Sequence, residues 1–89
     1  YNPKNVTFLS NMGSYYLSSA KEPKTAVRYY SKVLKMDPSN YPAAKNCYLA
    51  SRQIKDVKGM KKYLRILSET APDEMERLSF KTQLEALDK

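Results

Sequence analysis

The sequence predicts an all-α protein in which two copies of a helical hairpin stack side by side. The first observation is a repeat: Pro38 and Pro72 lie 34 residues apart, and the apolar positions between them recur at the same offset. The second is apolar spacing of three and four residues, which is typical of helices with one buried face. The third is the presence of Pro, Asn and Asp where that spacing stops. A fixed period of this size predicts stacked units, each covering the face that its neighbour exposes.

Seven pairs of residues carry the 34-residue period, and most pair apolar or aromatic residues with each other. They are Leu9 with Ala43, Gly13 with Cys47, Tyr16 with Ala50, Ala26 with Met60, Tyr29 with Tyr63, Tyr30 with Leu64 and Val33 with Leu67. These pairs predict a single domain of residues 1–89, with repeat one at about 5–38 and repeat two at about 39–72. Residues 73–89 then form a capping helix or part of a further repeat.

The first predicted helix begins near Asn2-Pro3, because proline in a first turn removes no helical hydrogen bond. Its apolar stripe is Val6, Leu9, Met12, Gly13 and Tyr16. The pattern lapses around residues 18–21, and Pro23 opens a second helix whose inner face is Ala26, Tyr30 and Val33. Asp37-Pro38 ends that helix, since the residue before a proline is pushed out of helical geometry.

The third helix begins after Ser39-Asn40, and either residue can cap it. It carries Ala43, Ala44, Cys47, Ala50 and Ile54. The fourth helix begins at Asp56 and has the most regular apolar stripe of the chain, which is Val57, Met60, Leu64 and Leu67.

Pro72 is predicted to start a fifth helix that is apolar on two opposite faces. One face carries Met75, Leu78 and Ala86; the other carries Phe80, Leu84 and Leu87. A helix of this kind requires two neighbours. We expect one face to cover the second repeat and the other to meet a further repeat, another chain or a ligand, so self-association through this helix is an expectation.

Composition argues against several classes of function. The chain has no His, which is the commonest general base, and its one cysteine, Cys47, lies in an apolar helical stretch where burial is expected. We therefore expect no enzymatic activity, cofactor or metal. No apolar run approaches the length of a membrane span, and no targeting segment is recognisable, so the compartment stays open with the cytoplasm as the default.

The residues resemble the tetratricopeptide repeat family, which builds helix pairs ending in a proline-containing turn. The segments NMGSYYLSS and TAVRYYSKVLKMDPSN are similar to the family's helix A and helix B signatures. Gly13 and Tyr16 match directly, although the Gly13-to-Ala26 interval is one residue longer than usual, which predicts an insertion in the turn. In repeat two, either Cys47 or Tyr48 takes the glycine position, and the 34-residue offset favours Cys47.

The resemblance implies a right-handed α-solenoid of antiparallel helix pairs that acts as a protein–protein interaction scaffold. Members of the family generally hold peptides or helices of partner proteins in a groove lined by the A helices. The candidates for such contacts are Ser10, Ser14, Leu17, Lys45, Tyr48, Leu49 and Arg52, together with Phe80, Leu84 and Leu87 on the last helix. Apolar and cationic side chains together favour a partner segment that is both apolar and acidic.

The charge distribution leaves two alternatives open. The net charge is +7, and residues 21–65 hold twelve Lys and Arg against three acids. Two basic rows are predicted on the outer surface of the B helices: Lys24, Arg28, Lys32 and Lys35, then Lys58, Lys61, Lys62 and Arg65. Such rows would suit a phosphate backbone, although a solvated helix face is the commoner explanation and nucleic-acid binding is therefore not favoured. The other alternative is a purely structural or oligomerisation segment of a larger protein.

Overall fold

The predicted all-α class is confirmed. In a computed structural model that describes residues 2–88, those residues form five α-helices and no strand. They are α1 (Pro3–Ser14), α2 (Pro23–Met36), α3 (Tyr41–Gln53), α4 (Val57–Thr70) and α5 (Glu74–Leu87). The outermost residues of the predicted domain, 1 and 89, lie outside the described range. No helix in that range has both the length and the apolar composition needed to cross a bilayer.

Four helices begin at a side chain that accepts a hydrogen bond from their first turn. Asn2 caps α1 and Asn40 caps α3, so Asn40 and not Ser39 is the cap of the third helix. Asp56 caps α4 as expected. The fifth helix starts later than Pro72, because Asp73 is its cap and accepts from the Met75 amide. These caps satisfy backbone donors that have no partner within the helix.

The lapse in the apolar pattern after α1 corresponds to a π-helical turn over Tyr15–Ser19. The Ala20 amide donates to the Tyr15 carbonyl at 2.9 Å, which is the five-residue closure of a π-helix. The chain then turns through Lys21, which has a positive φ of 53°. The turn thus takes up an extra residue at the end of the first helix.

Each helix packs against the next one along the chain. Two further hydrogen bonds join α3 to α5: Tyr41 to Glu76 at 2.8 Å, and Tyr48 to Gln83 at 3.0 Å. The partners advance by the same seven residues on both helices, so α3 and α5 run parallel beside each other. The third helix is therefore flanked by α2, α4 and α5.

Three of the seven residue pairs that carry the 34-residue period are buried at both positions. Gly13 and Cys47 are both buried, as are Tyr30 with Leu64 and Val33 with Leu67. The third helix is the most enclosed, with Ala43, Ala44, Cys47, Tyr48, Ala50 and Ser51 all buried. In α1 only Gly13 is buried. The centre of the fold is thus α3, and α1 lies at its edge.

Of the two apolar faces of α5, the one with Phe80, Leu84 and Leu87 packs against the core. On the other face, Met75 is 70% exposed and Leu78 57% exposed. One face of α5 is therefore covered by the core, and the Met75–Leu78 face is left open.

Candidate interaction groove

An open groove of about 690 Å³ lies between the π-helical turn and α3. Leu17 and Ser18 line one side; the other side belongs to α3. The lining residues of α3 are Asn46, Leu49, Arg52 and Gln53. Three of the residues predicted from sequence therefore come together here: Leu17, Leu49 and Arg52.

The local sequence explains why these side chains converge. Asn46, Leu49 and Gln53 are spaced by three and four residues, so they share one face of α3. That face is distinct from the small, buried face that carries Ala43, Cys47 and Ala50, which packs in the core. The groove is thus bordered by a face of α3 that is separate from its buried face.

Arg52 supplies the positive charge of the groove. Its guanidinium lies 5.7 Å from the centroid of the Tyr48 ring, a cation–π distance. Tyr48 is itself only 7% exposed, and its hydroxyl donates to Gln83. Tyr48 therefore supports Arg52 and ties α3 to α5, and it does not line the groove.

Lys45 lies outside the groove lining. Its ammonium group is 5.7 Å from the centroid of the Tyr41 ring. The Tyr41 hydroxyl donates to the Glu76 carboxylate, and burial together with this bond raises the pKa of Tyr41 above its usual value. Lys45 thus belongs to the α3–α5 seam.

The two serines predicted on the first helix are also outside the groove lining. The Ser14 and Tyr30 hydroxyls are hydrogen bonded at 2.9 Å, which joins α1 to α2. Ser10 is half-buried. Neither residue lies against Leu49 or Arg52 in the groove.

Phe80, Leu84 and Leu87 are half-buried against the protein's own core. The structure therefore separates the sequence-predicted candidates into four places: the groove, the α3–α5 seam, the first helix and the core-facing side of α5. Ser18, Asn46 and Gln53 complete the groove and were missed by the sequence analysis. The available signal was helical spacing from Leu49, which places Asn46 and Gln53 on the same face.

The one cysteine is not a reactive group of this surface. Cys47 is fully buried, and burial raises the pKa of its thiol to about 11 despite hydrogen bonds from Tyr63 and Ser31 that act in the opposite direction. The thiol is therefore protonated at neutral pH, the form that is a poor nucleophile. Within residues 2–88, His, Cys, Asp and Glu form no group of three that could hold a metal ion.

Comparison of the chain with protein-family models, with curated proteins and with solved structures found no match. The functional argument therefore rests on the residues and their geometry.

Proposed function

We propose that this protein is a protein–protein interaction scaffold that holds a peptide or helix of a partner protein in the groove between the π-helical turn and α3. The observation that carries the proposal is the convergence of Leu17, Leu49 and Arg52 on one open surface. Arginine is enriched among the residues that dominate binding energy at interfaces, and the two leucines add apolar contact beside it.

The groove chemistry defines the partner segment. Leu17 and Leu49 offer apolar contact, while the Asn46 and Gln53 amides can both donate to and accept from a peptide backbone. Arg52 has no carboxylate partner among residues 2–88, where the single ion pair joins Lys61 to Asp88. The preferred segment therefore combines an apolar side chain with a carboxylate.

The same proposal includes the tetratricopeptide-like architecture, a right-handed solenoid of helix pairs. It is supported by burial that repeats at 34 residues and by the parallel course of α3 and α5 at an offset of 35. The π-helical turn also supports it, because it takes up one residue where the interval from Gly13 to Ala26 exceeds the family spacing by one. In this proposal the protein acts by binding alone, without catalysis or a cofactor.

A photo-crosslinking experiment tests the proposed groove. A photoreactive amino acid replaces Ser18, which is exposed in the groove, and a second version places it at the exposed Ser39 outside it. We expect crosslinked proteins from position 18 that are absent from position 39 and that disappear when Arg52→Glu is added. The matched charge reversal Arg65→Glu, on the exposed side of α4, should leave the crosslinks from position 18 unchanged. Crosslinks that survive Arg52→Glu, or that disappear equally with Arg65→Glu, contradict the proposal.

An oligomerisation role is the second candidate, and the exposed Met75 and Leu78 favour it. These two side chains form an uncovered apolar face on α5, which is typical of a surface that meets another chain. Sedimentation velocity over a hundredfold range of concentration tests this role. A dimer that Met75→Glu returns to a monomer supports it, and a monomer throughout removes it.

A further inference from the structure

A second groove runs along the seam between α2 and α4. It consists of two adjoining cavities, of about 440 and 160 Å³, which share Lys62 and Tyr63 as lining residues. The larger cavity begins at Lys24 and Val27, and the smaller one extends to Leu34 and Lys35 along the same helix. At 1.5 Å per helical residue, the distance from Lys24 to Lys35 is roughly 16 Å. The groove is thus long and narrow.

The floor of this groove is mainly apolar, although Ser31 of α2 and the buried Ser51 of α3 also line it. Val27 and Leu34 come from α2, and Ile66 comes from α4; all three are half-buried and border the core. Tyr63 lies between the two cavities and is only 5% exposed, with its hydroxyl hydrogen bonded to Ser31 at 3.3 Å. Its ring is therefore part of the wall and does not project as a free aromatic surface.

The rim of the groove is cationic. Lys24 and Lys35 lie on the α2 side, Lys58 and Lys62 on the α4 side, and all four are exposed. In residues 2–88 none of them forms an ion pair with a carboxylate, since the single pair found there involves Lys61. Asp56 is the one acid in the lining, and it accepts a hydrogen bond from the Gly59 amide as the cap of α4.

We propose that the α2–α4 groove binds an acidic, amphipathic segment of a partner protein. Apolar side chains of the segment cover Val27, Leu34 and Ile66, while carboxylates on both of its flanks meet the lysines of the two rims. The charge complementarity on both sides of an apolar floor is what identifies this occupant. The site is separate from the proposed groove at Arg52, so either can exist without the other.

The composition of the groove favours a peptide over a nucleic acid. A phosphate backbone needs cations and gains nothing from an apolar floor. Single-stranded nucleic acids also need free aromatic faces on which bases stack, and Tyr63 is buried. The lysines and the aliphatic floor act together only on a ligand that carries both carboxylates and apolar groups.

The test uses a fluorescein-labelled synthetic helical peptide of about 14 residues, with leucines along one face and glutamates on both flanks. Binding to the full chain is followed by fluorescence anisotropy at low and high salt. The groove variant is Lys24→Glu with Lys62→Glu. The matched control is Arg28→Glu with Lys32→Glu, which changes the net charge by the same amount on exposed positions outside the groove lining. Circular dichroism establishes that both variants fold.

The expected result is binding that weakens about tenfold in the groove variant relative to the control variant. Binding also weakens when the leucines of the peptide are replaced by serines, and it is unchanged by Arg52→Glu. The inference is overturned by no binding, by equal loss in both double variants, by insensitivity to the leucine replacement, or by loss with Arg52→Glu. It is equally overturned if a single-stranded RNA of similar length binds more tightly than the peptide. The crosslinking result at position 18 is independent of every one of these outcomes.

Discussion

Helices α1 and α3 carry the same pattern of apolar positions, 34 residues apart, but the residues at those positions differ in size and burial. Leu9 of α1 and Tyr16 of the π-helical turn that continues it are large and half-buried. Their counterparts in α3, Ala43 and Ala50, are small and at most 1% exposed. The pair Gly13 and Cys47 is the exception, because here the residue of α1 is the smaller one and both residues are buried.

The number of neighbours explains the difference. The third helix packs closely against both α2 and α4, which requires small side chains, and two tyrosine hydrogen bonds join it to α5. The first helix packs mainly on α2, so large side chains there cover the core from one side and are left partly exposed. Gly13 is the exception because the Tyr30 ring lies directly against it. The same apolar pattern therefore occurs in a helix enclosed by its neighbours, α3, and in a helix at the edge of the fold, α1.

The largest effect is expected from placing tyrosine, the residue at position 16 in the π-helical turn after α1, at the corresponding position of α3. Ala50→Tyr inserts a ring where no space is left, and we expect a loss of about 3 kcal/mol or more in the free energy of unfolding. The reverse change at the edge, Tyr16→Ala, removes a half-buried ring that stacks on Tyr29 at 5.4 Å and should cost about 1 kcal/mol. Urea denaturation followed by circular dichroism measures both. Equal losses would mean that the two helices have equivalent surroundings.

The next effect concerns pH, and it belongs to α3 alone because α1 has Gly13 at the corresponding position. The pKa of the Cys47 thiol is about 11 in the folded protein, against an ordinary value of 9.0. Above pH 9 the unfolded chain loses this proton more readily, so the stability contribution is complete below pH 9 and is lost as pH rises towards 11. We expect a loss of roughly 2 kcal/mol over this range.

Urea denaturation in a reducing buffer, at several pH values from 7.5 to 11, measures this loss. Cys47→Ala is the control and should flatten the profile. Some decline remains in that variant, because burial also raises the pKa of Tyr63, and the pKa values of Tyr16 and Tyr41 are raised as well. A profile that Cys47→Ala leaves unchanged would contradict the role assigned to the thiol.

A smaller effect is expected at the close contact of the edge helix. A Cβ atom at Gly13 would lie 2.7 Å from two ring atoms of Tyr30, and that ring is held by its bond to Ser14. Gly13→Ala should therefore cost about 1.5 kcal/mol, the overpacking strain being partly offset by higher helix propensity. In a Tyr30→Leu background the cost should fall, and the double-mutant cycle measures the coupling. Additive costs would show that the ring is not the obstacle.

The smallest effect compares the caps of the same two helices. Asn40 accepts from the Ala43 amide at 3.0 Å, and Asn2 accepts from the Lys4 amide at 2.9 Å. We expect Asn40→Ala to cost about 1 kcal/mol. Asn2→Ala should cost only a few tenths, because an exposed end of the edge helix frays locally without opening the core. Thermal unfolding of the two variants measures both losses of stability. A greater loss for Asn2→Ala than for Asn40→Ala would contradict the placement of α1 at the edge of the fold and α3 at its centre.

Much of the local structure is predictable from sequence because it depends on residues close in the chain. Prolines and capping Asn and Asp residues predict where α1 to α4 begin, and apolar spacing predicts the inner face of α2. For α4 the predicted stripe is wrong at Val57, which is 48% exposed, because it lies in the first turn of the helix, outside the part that packs on the core. The interaction groove is less predictable. Leu17, Leu49 and Arg52 line one groove, whereas Ser14 and Tyr48 form hydrogen bonds with Tyr30 and Gln83 that no local pattern indicates.

The sequence by itself determined five helices, their repeat of 34 residues and the side of each that is apolar, because these follow from backbone geometry and from neighbours within one or two turns. Tertiary structure alone decided that Phe80, Leu84 and Leu87 pack inward while Met75 and Leu78 stay exposed. It also decided that the lysines of α2 and α4 face each other across an apolar floor. The physical reason is that a helix can carry two faces that are each suitable for packing. Which of the two is buried depends on the shape and charge of segments that are distant in the sequence.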